Sequence, residues 1–351
     1  SRVRIIGLDG TAGPTVVLPG LGGASDFKGS DTSTTVYYRF DSFTSPSPVM
    51  ALDTRTGTST VWKVTEVGFD PSRFVTKQVF VTSKDGTKVP AFIVHRKDVR
   101  LNGLNPTLLY GYGGFNISMT AGYSPYRMAW LERGGVYVHA NLRGGGEYGK
   151  AWHDSGTKLQ KQNVFDDFIA VAEYLVDKEW TSPSRLAIEG GSNGGLLVGA
   201  AITQRPELFG AAIPQVGVLD KLRYHRFTIG AAWAGDYGRS DDSPKMFKYL
   251  LGYSPPHNVR PGVDYPATPV MTGERDDRVV PAHSFKFGAT LQADNASDKP
   301  IIVRVETRAG HGAGTSTEQA IAQTADKLSF LDANLGTAPI VPKPVFLAPR
   351  R

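Results

Sequence analysis

The chain has 351 residues, of which 40% are apolar and 21% charged, and its 39 basic and 33 acidic residues give a formal net charge of +6. This composition excludes disorder for most of the chain, and the absence of cysteine excludes disulfides, thiolate nucleophiles and cysteine-containing metal sites. Basic residues are scattered and no apolar run approaches the roughly 20 residues of a membrane helix, so we expect no binding to nucleic acid or membrane.

The first part of the chain, residues 1–66, has the pattern of β-strands. Val3 and Ile5 alternate with arginines, and residues 35–40 are β-branched and aromatic. No helical period occurs there. Because the pattern changes at about residue 67, we predict two domains, residues 1–66 and 67–351.

From residue 67 onward, predicted strands alternate with predicted helices. The strands are expected at residues 79–94 (a hairpin pair), 107–112, 136–142, 185–189, 211–218, 269–272 and 301–306. Helices are expected at residues 164–179, in the apolar run 196–202, and at residues 316–335, where Thr315 and Glu318 form a capping box and Gly336 ends the helix. This alternation predicts an α/β fold with a mostly parallel, doubly wound sheet, whose active residues lie beyond the carboxyl ends of the strands.

A serine bracketed by glycines follows the strand at residues 185–189. Gly190, Ser192 and Gly194 fit the G-x-S-x-G nucleophile elbow, in which a sharp strand-to-helix turn leaves no room for neighbouring Cβ atoms. The N-terminus of the following helix favours a developing oxyanion. This context favours a nucleophilic serine over an incidental one in a glycine-rich turn.

A serine nucleophile needs a base, and in this fold the base is a histidine later in the chain. The histidines that follow Ser192 are His225, His257, His283 and His311. His311 lies on a glycine-rich loop directly after a strand, which makes it the expected base. We expect His283 to be a helix or packing residue, and His257 follows two prolines in a loop without a preceding strand.

The orienting acid is expected in the charged loop that follows the strand at residues 269–272. This loop lies between the serine and histidine elements, as the order of the triad requires. Spacing alone does not choose between Asp276 and Asp277.

The glycines Gly144, Gly146 and Gly149 spell a dinucleotide-binding fingerprint after a strand. That site needs a helix directly after the loop and an acidic residue at the end of a second strand. Here Asp166 and Asp167, at the required distance, fall inside a predicted helix. We therefore expect no nicotinamide cofactor.

Five motifs occur in an order that is typical of one family of serine peptidases. They cover residues 110–118, 143–149, 190–197, 276–281 and 310–314. On these residues the chain resembles the prolyl oligopeptidase family over about residues 67–335. The resemblance implies an α/β-hydrolase fold preceded by a β-propeller.

The resemblance also assigns roles to residues. It implies that Ser192 is the nucleophile, Asp276 the orienting acid and His311 the general base, and that the Tyr112 hydroxyl and the Asn193 backbone N–H form the oxyanion hole. It implies no metal and no organic cofactor. The activity that the resemblance implies is hydrolysis of short peptides after proline, through an acyl-enzyme.

A proline pocket follows from the same resemblance. Trp233 would stack on the substrate proline ring, while Phe115, Val218 and Tyr237 would line the pocket and Arg278 would hold a carbonyl of the preceding substrate residue. An apolar, aromatic slot suits an uncharged ring without an N–H group.

Two kinds of alternative remain open. A basic-specific oligopeptidase or a carboxylesterase shares the triad, although Asn193 and Trp233 favour proline. A non-catalytic binding protein of the same fold belongs to another class, but such proteins usually lose a triad residue, and this chain retains all three.

The first 66 residues resemble the last blade of a propeller or slightly more. A single blade cannot bury its own faces without neighbouring blades. We therefore expect this chain to be the C-terminal portion of a protein about twice as long, or to associate with another chain that supplies the missing propeller. Expressed alone, it is expected to be poorly soluble or inactive.

Overall fold

The N-terminal part of the chain, residues 1–66, contains strands and loops but no helix. The computed structural model describes residues 1–312 and 315–336. The strands are Arg4–Ile6 (β1), Ala12–Thr15 (β2), Gly23–Lys28 (β3), Thr35–Asp41 (β4), Val49–Asp53 (β5) and Thr58–Lys63 (β6). β1 and β2 form an antiparallel pair, and β3 to β6 form an antiparallel sheet in sequential order. The predicted β-structure of this part is confirmed.

This small sheet has a small core of its own, made by Val16, Tyr38, Phe40, Met50 and Leu52. Apolar side chains also remain on its surface, including Trp62, which is 60% exposed. The loop after β4 connects the sheet to the rest of the molecule, because Phe43 is fully buried against the rings of Phe92 and Tyr137.

An eight-stranded sheet forms the centre of the remaining chain. Its strands are Phe74–Thr82 (β7), Lys88–Arg96 (β8), Thr107–Gly111 (β9), Val136–Ala140 (β10), Leu186–Gly191 (β11), Ala211–Gln215 (β12), Thr268–Gly273 (β13) and Ile301–Glu306 (β14). The spatial order is β14-β13-β12-β11-β9-β10-β8-β7. The six strands from β14 to β10 are parallel, and only β8 and β7 run antiparallel to their neighbours. The predicted mostly parallel sheet is confirmed.

Helices cover both faces of this sheet. They are Pro125–Glu132 (α1), Lys150–Asp154 (α2), Gln162–Asp177 (α3), Asn193–Gln204 (α4), Ala234–Tyr237 (α5), Pro244–Tyr253 (α6), Pro255–Asn258 (α7), Ala282–Asp294 (α8) and Thr317–Leu335 (α9). Successive strand residues point to opposite faces, so Leu108 packs with α1 and α9 while Leu109 packs with α3, α4 and α8. This is the predicted α/β-hydrolase architecture. Within the described part of the chain, no helix is long and apolar enough to cross a membrane.

Helix α3 follows the predicted amphipathic pattern. It begins two residues before the predicted start and ends at Asp177, two residues before the predicted end. All six of the apolar residues that define the pattern are fully buried, namely Val164, Phe165, Phe168, Val171, Ala172 and Leu175. Burial of this stripe against the sheet stabilises the helix more than its intrinsic propensity does.

The capping box of α9 differs from the prediction by one residue. The Ser316 hydroxyl accepts the N–H of Gln319, and the Gln319 side chain accepts the N–H of Ser316. The predicted pair Thr315 and Glu318 was wrong because two overlapping Ser/Thr-x-x-Glu/Gln patterns occur here and only one can start the helix. Gly336 ends α9 in the left-handed conformation, φ +67°, as predicted.

His283 is a buried residue of α8, as expected. Its side chain is 1% exposed, and its Nδ1 accepts the backbone N–H of Asp220. Burial, with Lys221 and Lys286 nearby, lowers the pKa of His283 from 6.5 to about 4. Between pH 6.5 and pH 4, His283 is therefore protonated in the unfolded chain but stays neutral in the folded chain. The free energy of unfolding consequently falls as the pH drops through this range.

We predict that this histidine contributes about 3 kcal/mol to the loss of stability between pH 7 and pH 4, which is about 2.5 pKa units at 1.36 kcal/mol each. Urea unfolding of the protein and of His283→Asn, which keeps an acceptor for the Asp220 N–H, measures the difference. The variant should lose less stability than the parent over this range. An equal loss in both proteins would contradict the assignment.

Candidate active site

Ser192 lies at a sharp turn between β11 and α4. Its backbone is strained, with φ +58° and ψ −114°. A Cβ atom at Gly190 would collide with the carbonyl oxygen of Gly194, and one at Gly194 would lie 2.7 Å from the carbonyl oxygen of Gly111. The crowding predicted for a nucleophile elbow is therefore present, and it explains why glycine is required on both sides of the serine.

The residues around this turn supply N–H groups. The Ser192 N–H donates to the carbonyl oxygen of Gln215 at 2.8 Å, which ties the turn to β12. Asn193 is the first residue of α4, so its own N–H has no acceptor within the helix. The positive end of the helix dipole adds to the attraction for an anion at this point.

The Asn193 side chain joins three segments of the site, a role that the sequence did not reveal. Its amide nitrogen donates to the carbonyl oxygen of Tyr112, and its amide oxygen accepts the Tyr237 hydroxyl at 2.8 Å. The loop after β9, the elbow and α5 are thereby held together. The sequence gives no signal for this, because Tyr112 and Tyr237 lie 81 and 44 positions away from Asn193.

The Tyr112 side chain lies near Ser192, whose hydroxyl acts to lower the pKa of Tyr112 against larger opposing effects. Burial raises the pKa of Tyr112 above its ordinary value of 10, and the negative charge of Asp236 raises it further. The phenol therefore stays protonated at neutral pH. It can donate a hydrogen bond to an atom bound at the serine.

Asp276 and His311 meet at the carboxyl ends of β13 and β14. His311 Nδ1 lies 2.7 Å from Asp276 Oδ2, and the Asp276 side chain is fully buried. Its other oxygen accepts the backbone N–H groups of Arg278 and Val279 at 3.0 and 2.8 Å. Asp277, which spacing could not distinguish, is exposed.

In the part of the chain that the structure describes, His311 forms a hydrogen bond with Asp276 but none with Ser192. The last two residues of the predicted histidine motif, Ala313 and Gly314, lie outside the described residues. Another serine and histidine do form a close pair. His257 Nδ1, on α7, lies 2.8 Å from the hydroxyl of Ser254, the residue that precedes this helix.

The predicted pocket residues form part of a chain of aromatic contacts. The Phe115 ring packs edge-on against Tyr237 with centroids 5.4 Å apart, Tyr237 packs against Tyr224, and Tyr224 stacks on Trp233. Tyr237 is fully buried, whereas Phe115 and Trp233 are half-buried and keep surface towards solvent. Tyr224 connects the two sides and was not predicted from the sequence.

The other two predicted pocket residues differ in exposure. Val218 is 2% exposed, and Arg278 is exposed on the loop that carries Asp276. The positive charge of Arg278 is near enough to Tyr112 to lower the pKa of that phenol slightly against the larger effect of burial. Residues 1–312 and 315–336 contain no cluster of three or more His, Asp or Glu side chains that could hold a metal ion.

The glycines of the dinucleotide-like pattern lead into the short helix α2. Asp166 and Asp167 lie inside α3, as predicted, and Asp167 is buried in an ion pair with Arg143. Neither aspartate therefore lies at the end of a strand, where a ribose would be bound.

Comparison with known proteins identifies the family. The family model described as the prolyl oligopeptidase family matches residues 121–338, and a model of its N-terminal β-propeller domain matches residues 1–65. The chain belongs to the prolyl oligopeptidase family. The resemblance inferred from the five sequence motifs is confirmed.

Relatives within the prolyl oligopeptidase family are close. A prolyl endopeptidase of Elizabethkingia meningoseptica is 53% identical over 321 residues, which cover 92% of this chain and 46% of the relative. A prolyl endopeptidase of Dictyostelium discoideum is 44% identical over 322 residues, which cover 90% of this chain and 42% of the relative. A structure from a study of two prolyl endopeptidases superposes with a TM-score of 0.90 at 50% identity, covering 96% of this chain and 50% of that chain. The chain thus spans about half the length of the relatives it matches.

Proposed function

We propose that this member of the prolyl oligopeptidase family is a serine peptidase that hydrolyses short peptides on the carboxyl side of proline. The observation that carries the proposal is the pairing of the buried Asp276 carboxylate with His311 at 2.7 Å, at the same sheet edge as the strained Ser192. Nucleophile (Ser192), acid (Asp276) and base (His311) follow one another along the chain in the order that this fold uses.

Acylation begins with proton transfer. His311 Nε2 accepts the proton of the Ser192 hydroxyl while Oγ attacks the carbonyl carbon that follows the substrate proline ring. Asp276 holds the histidine through Nδ1 and stabilises the imidazolium that forms. The reaction requires His311 to come within hydrogen-bonding distance of Ser192, and such contacts commonly tighten only when substrate is bound.

The tetrahedral oxyanion is stabilised by the Tyr112 hydroxyl and the Asn193 N–H. The raised pKa of Tyr112 supports this role, because the phenol remains a donor at neutral pH. When the intermediate collapses, the C–N bond breaks and His311 gives its proton to the leaving amine. His311 then removes a proton from water, which attacks the acyl-enzyme and releases Ser192.

Proline selectivity is assigned to the half-buried faces of Phe115 and Trp233, with Tyr237 and Val218 behind them. An aromatic slot suits the proline ring because that ring has no N–H group to satisfy. Arg278, which is exposed beside the acid loop, would bind a carbonyl oxygen of the preceding residue. These assignments rest on the aromatic contacts and on the family resemblance.

A further proposal concerns the propeller. The division at residues 66 and 67 separates the all-β part from the hydrolase domain, and the exposed apolar side chains of the small sheet, among them Val61 and Trp62, would pack against further propeller blades. The half-length coverage of the relatives supports this proposal. The rest of the propeller is thus the expected protein partner of this surface.

Reporter peptides separate the proposal from its alternatives. The protein, purified together with the remaining propeller blades proposed above, is assayed side by side with substrates that place proline or arginine before the scissile bond, and with a short-chain ester. We expect kcat/KM for proline to exceed that for arginine by on the order of 10² or more, because the residues assigned to the pocket carry no carboxylate and both oxygens of the neighbouring Asp236 are already engaged by Phe115 and His153. A preference for arginine or for the ester would overturn the proline assignment and favour the corresponding alternative.

A further inference from the structure

Asp236 is a buried carboxylate on α5, next to the proposed proline pocket, and the mechanism above does not use it. Its side chain is 8% exposed. One oxygen accepts the backbone N–H of Phe115 at 2.7 Å, and the other lies 2.9 Å from His153 Nε2. Both oxygens are therefore engaged, one by the loop after β9 and one by α2.

The bond to Phe115 falls where the backbone needs support. Phe115 has φ +59°, in the left-handed region that a bulky side chain rarely occupies, and the following residue Asn116 has φ +56°. Such a conformation persists only where its surroundings hold it. A charged acceptor forms a strong hydrogen bond to the Phe115 N–H, and this bond fixes the direction in which the ring leaves the backbone.

The same loop is held from a second side by a buried lysine. Lys161 Nζ donates to the carbonyl oxygen of Gly113 at 2.8 Å. Burial lowers the pKa of Lys161 to about 8, and the carboxylate of Asp236 acts against this by favouring the ammonium form. Asp236 thus has two distinct effects on the loop, a direct hydrogen bond at Phe115 and a charge that supports the Lys161 contact at Gly113.

The loop geometry determines the wall of the proposed pocket. With its backbone in the left-handed conformation, Phe115 places its ring edge-on against Tyr237, whose hydroxyl holds Asn193. A relaxed conformation at Phe115 would turn the ring away from this contact and open the slot. The ring position therefore depends on the acceptor that Asp236 provides.

We propose that Asp236 is a positioning residue that sets selectivity for proline by holding Phe115 in its left-handed conformation. The inference rests on the proposed function, since it assumes that Phe115 contacts the substrate proline. It goes beyond that function by assigning specificity to a residue that does not touch the substrate. His153 completes the arrangement by fixing the orientation of the carboxylate.

Two substitutions at Asp236 separate the hydrogen bond from the charge. Asp236→Asn keeps an oxygen for the Phe115 N–H and offers an amide N–H to His153 Nε2, but it removes the charge. Asp236→Ala removes both the acceptor and the charge. The measurement is the ratio of kcat/KM for a proline reporter to that for an alanine reporter, with kcat and KM determined separately.

We expect Asp236→Ala to lower this ratio about tenfold or more through a higher KM for the proline reporter, because a pocket wall binds the ground state and the transition state alike. In Asp236→Asn the ratio should stay within about threefold of the parent. The alanine reporter, which does not fill the slot, should be cleaved equally by all three proteins. A fold defect alone would lower both substrates together.

A second variant keeps the test valid if Asp236→Ala does not fold. His153→Phe retains a planar ring at a partly exposed position but no N–H, so the carboxylate loses its orientation. We expect the ratio to fall by about three- to tenfold. Asp220→Ala is the control for loss of a buried carboxylate, because Asp220 pairs with Lys286 rather than with the loop. It should lower stability and leave the ratio unchanged.

The proposal is overturned if the ratio is unchanged in Asp236→Ala, or in His153→Phe where the alanine variant is unfolded. It is also overturned if Asp236→Asn loses as much selectivity as Asp236→Ala, since the charge and not the hydrogen bond would then be responsible. Failure of the proposed function is recognised separately, because the parent protein would then show no preference for proline at all.

Discussion

Replacement of Ser192 by alanine is expected to lower kcat for a proline reporter by roughly 10⁶-fold while leaving peptide binding measurable. The substitution removes only the hydroxyl group, and without its oxygen no acyl-enzyme can form. The side chain contributes little to binding, so affinity for a proline peptide should remain. Turnover is followed by reporter release, and affinity is measured by calorimetry.

The chain provides a matched control for this substitution. Ser254 is a buried serine whose hydroxyl lies 2.8 Å from the ring nitrogen of a histidine, His257. It lies before α7 and not at an elbow, so Ser254→Ala should keep kcat within about threefold even if stability falls. Turnover that persists in Ser192→Ala, or is lost equally in both variants, would contradict the assignment of Ser192 as the nucleophile.

Removal of the Tyr112 hydroxyl is expected to lower kcat by about 10² to 10³, with little change in KM. The donor acts on charge that develops only in the transition state, and Tyr112→Phe keeps the ring and its packing. Since burial and Asp236 raise the pKa of Tyr112, the parent phenol remains protonated at neutral pH, so ionisation of this group should not lower the activity there.

Tyr110→Phe provides the control for this prediction. Tyr110 lies on β9, two residues before Tyr112, and stacks on His139 on the other side of the sheet from α4. Its loss should change kcat by less than about threefold. A Tyr112→Phe enzyme with full kcat would show that the second oxyanion donor comes from elsewhere. A rise in KM at unchanged kcat would instead assign Tyr112 to ground-state binding.

The sequence predicts the order of elements well where periodicity is long. Helix α3 buries all six apolar residues that defined its pattern, and the turn around Ser192 has the crowding that its glycines imply. The region between β12 and β13 gave no such signal. α5 and α7 have only four residues each. A helical pattern of apolar residues needs at least two turns to be recognised, so helices of this length leave no periodic signal in the sequence. α6 carried a signal that was missed, because Ser243 caps it and Pro244 is its first residue.

The chemistry of the candidate site divides in the same way. Ser192 and His311 are marked by local context, since each follows a strand and lies among glycines. The contacts of Asn193 and Asp236 are with residues 44 to 121 positions away in the chain, and no spacing rule encodes them. The choice between Asp276 and Asp277 depends on which side chain is buried, and only the folded chain determines burial.

The most direct test of the central claim is covalent labelling of the protein with an organophosphonate, followed by mass spectrometry of the digested protein. An activated serine attacks phosphorus, whereas ordinary serine hydroxyls do not react at neutral pH. We predict one adduct, on the peptide that contains Ser192, and none in Ser192→Ala. A protein that cleaves proline reporters but carries no adduct, or carries it on another residue, would contradict the assignment of Ser192 as the nucleophile.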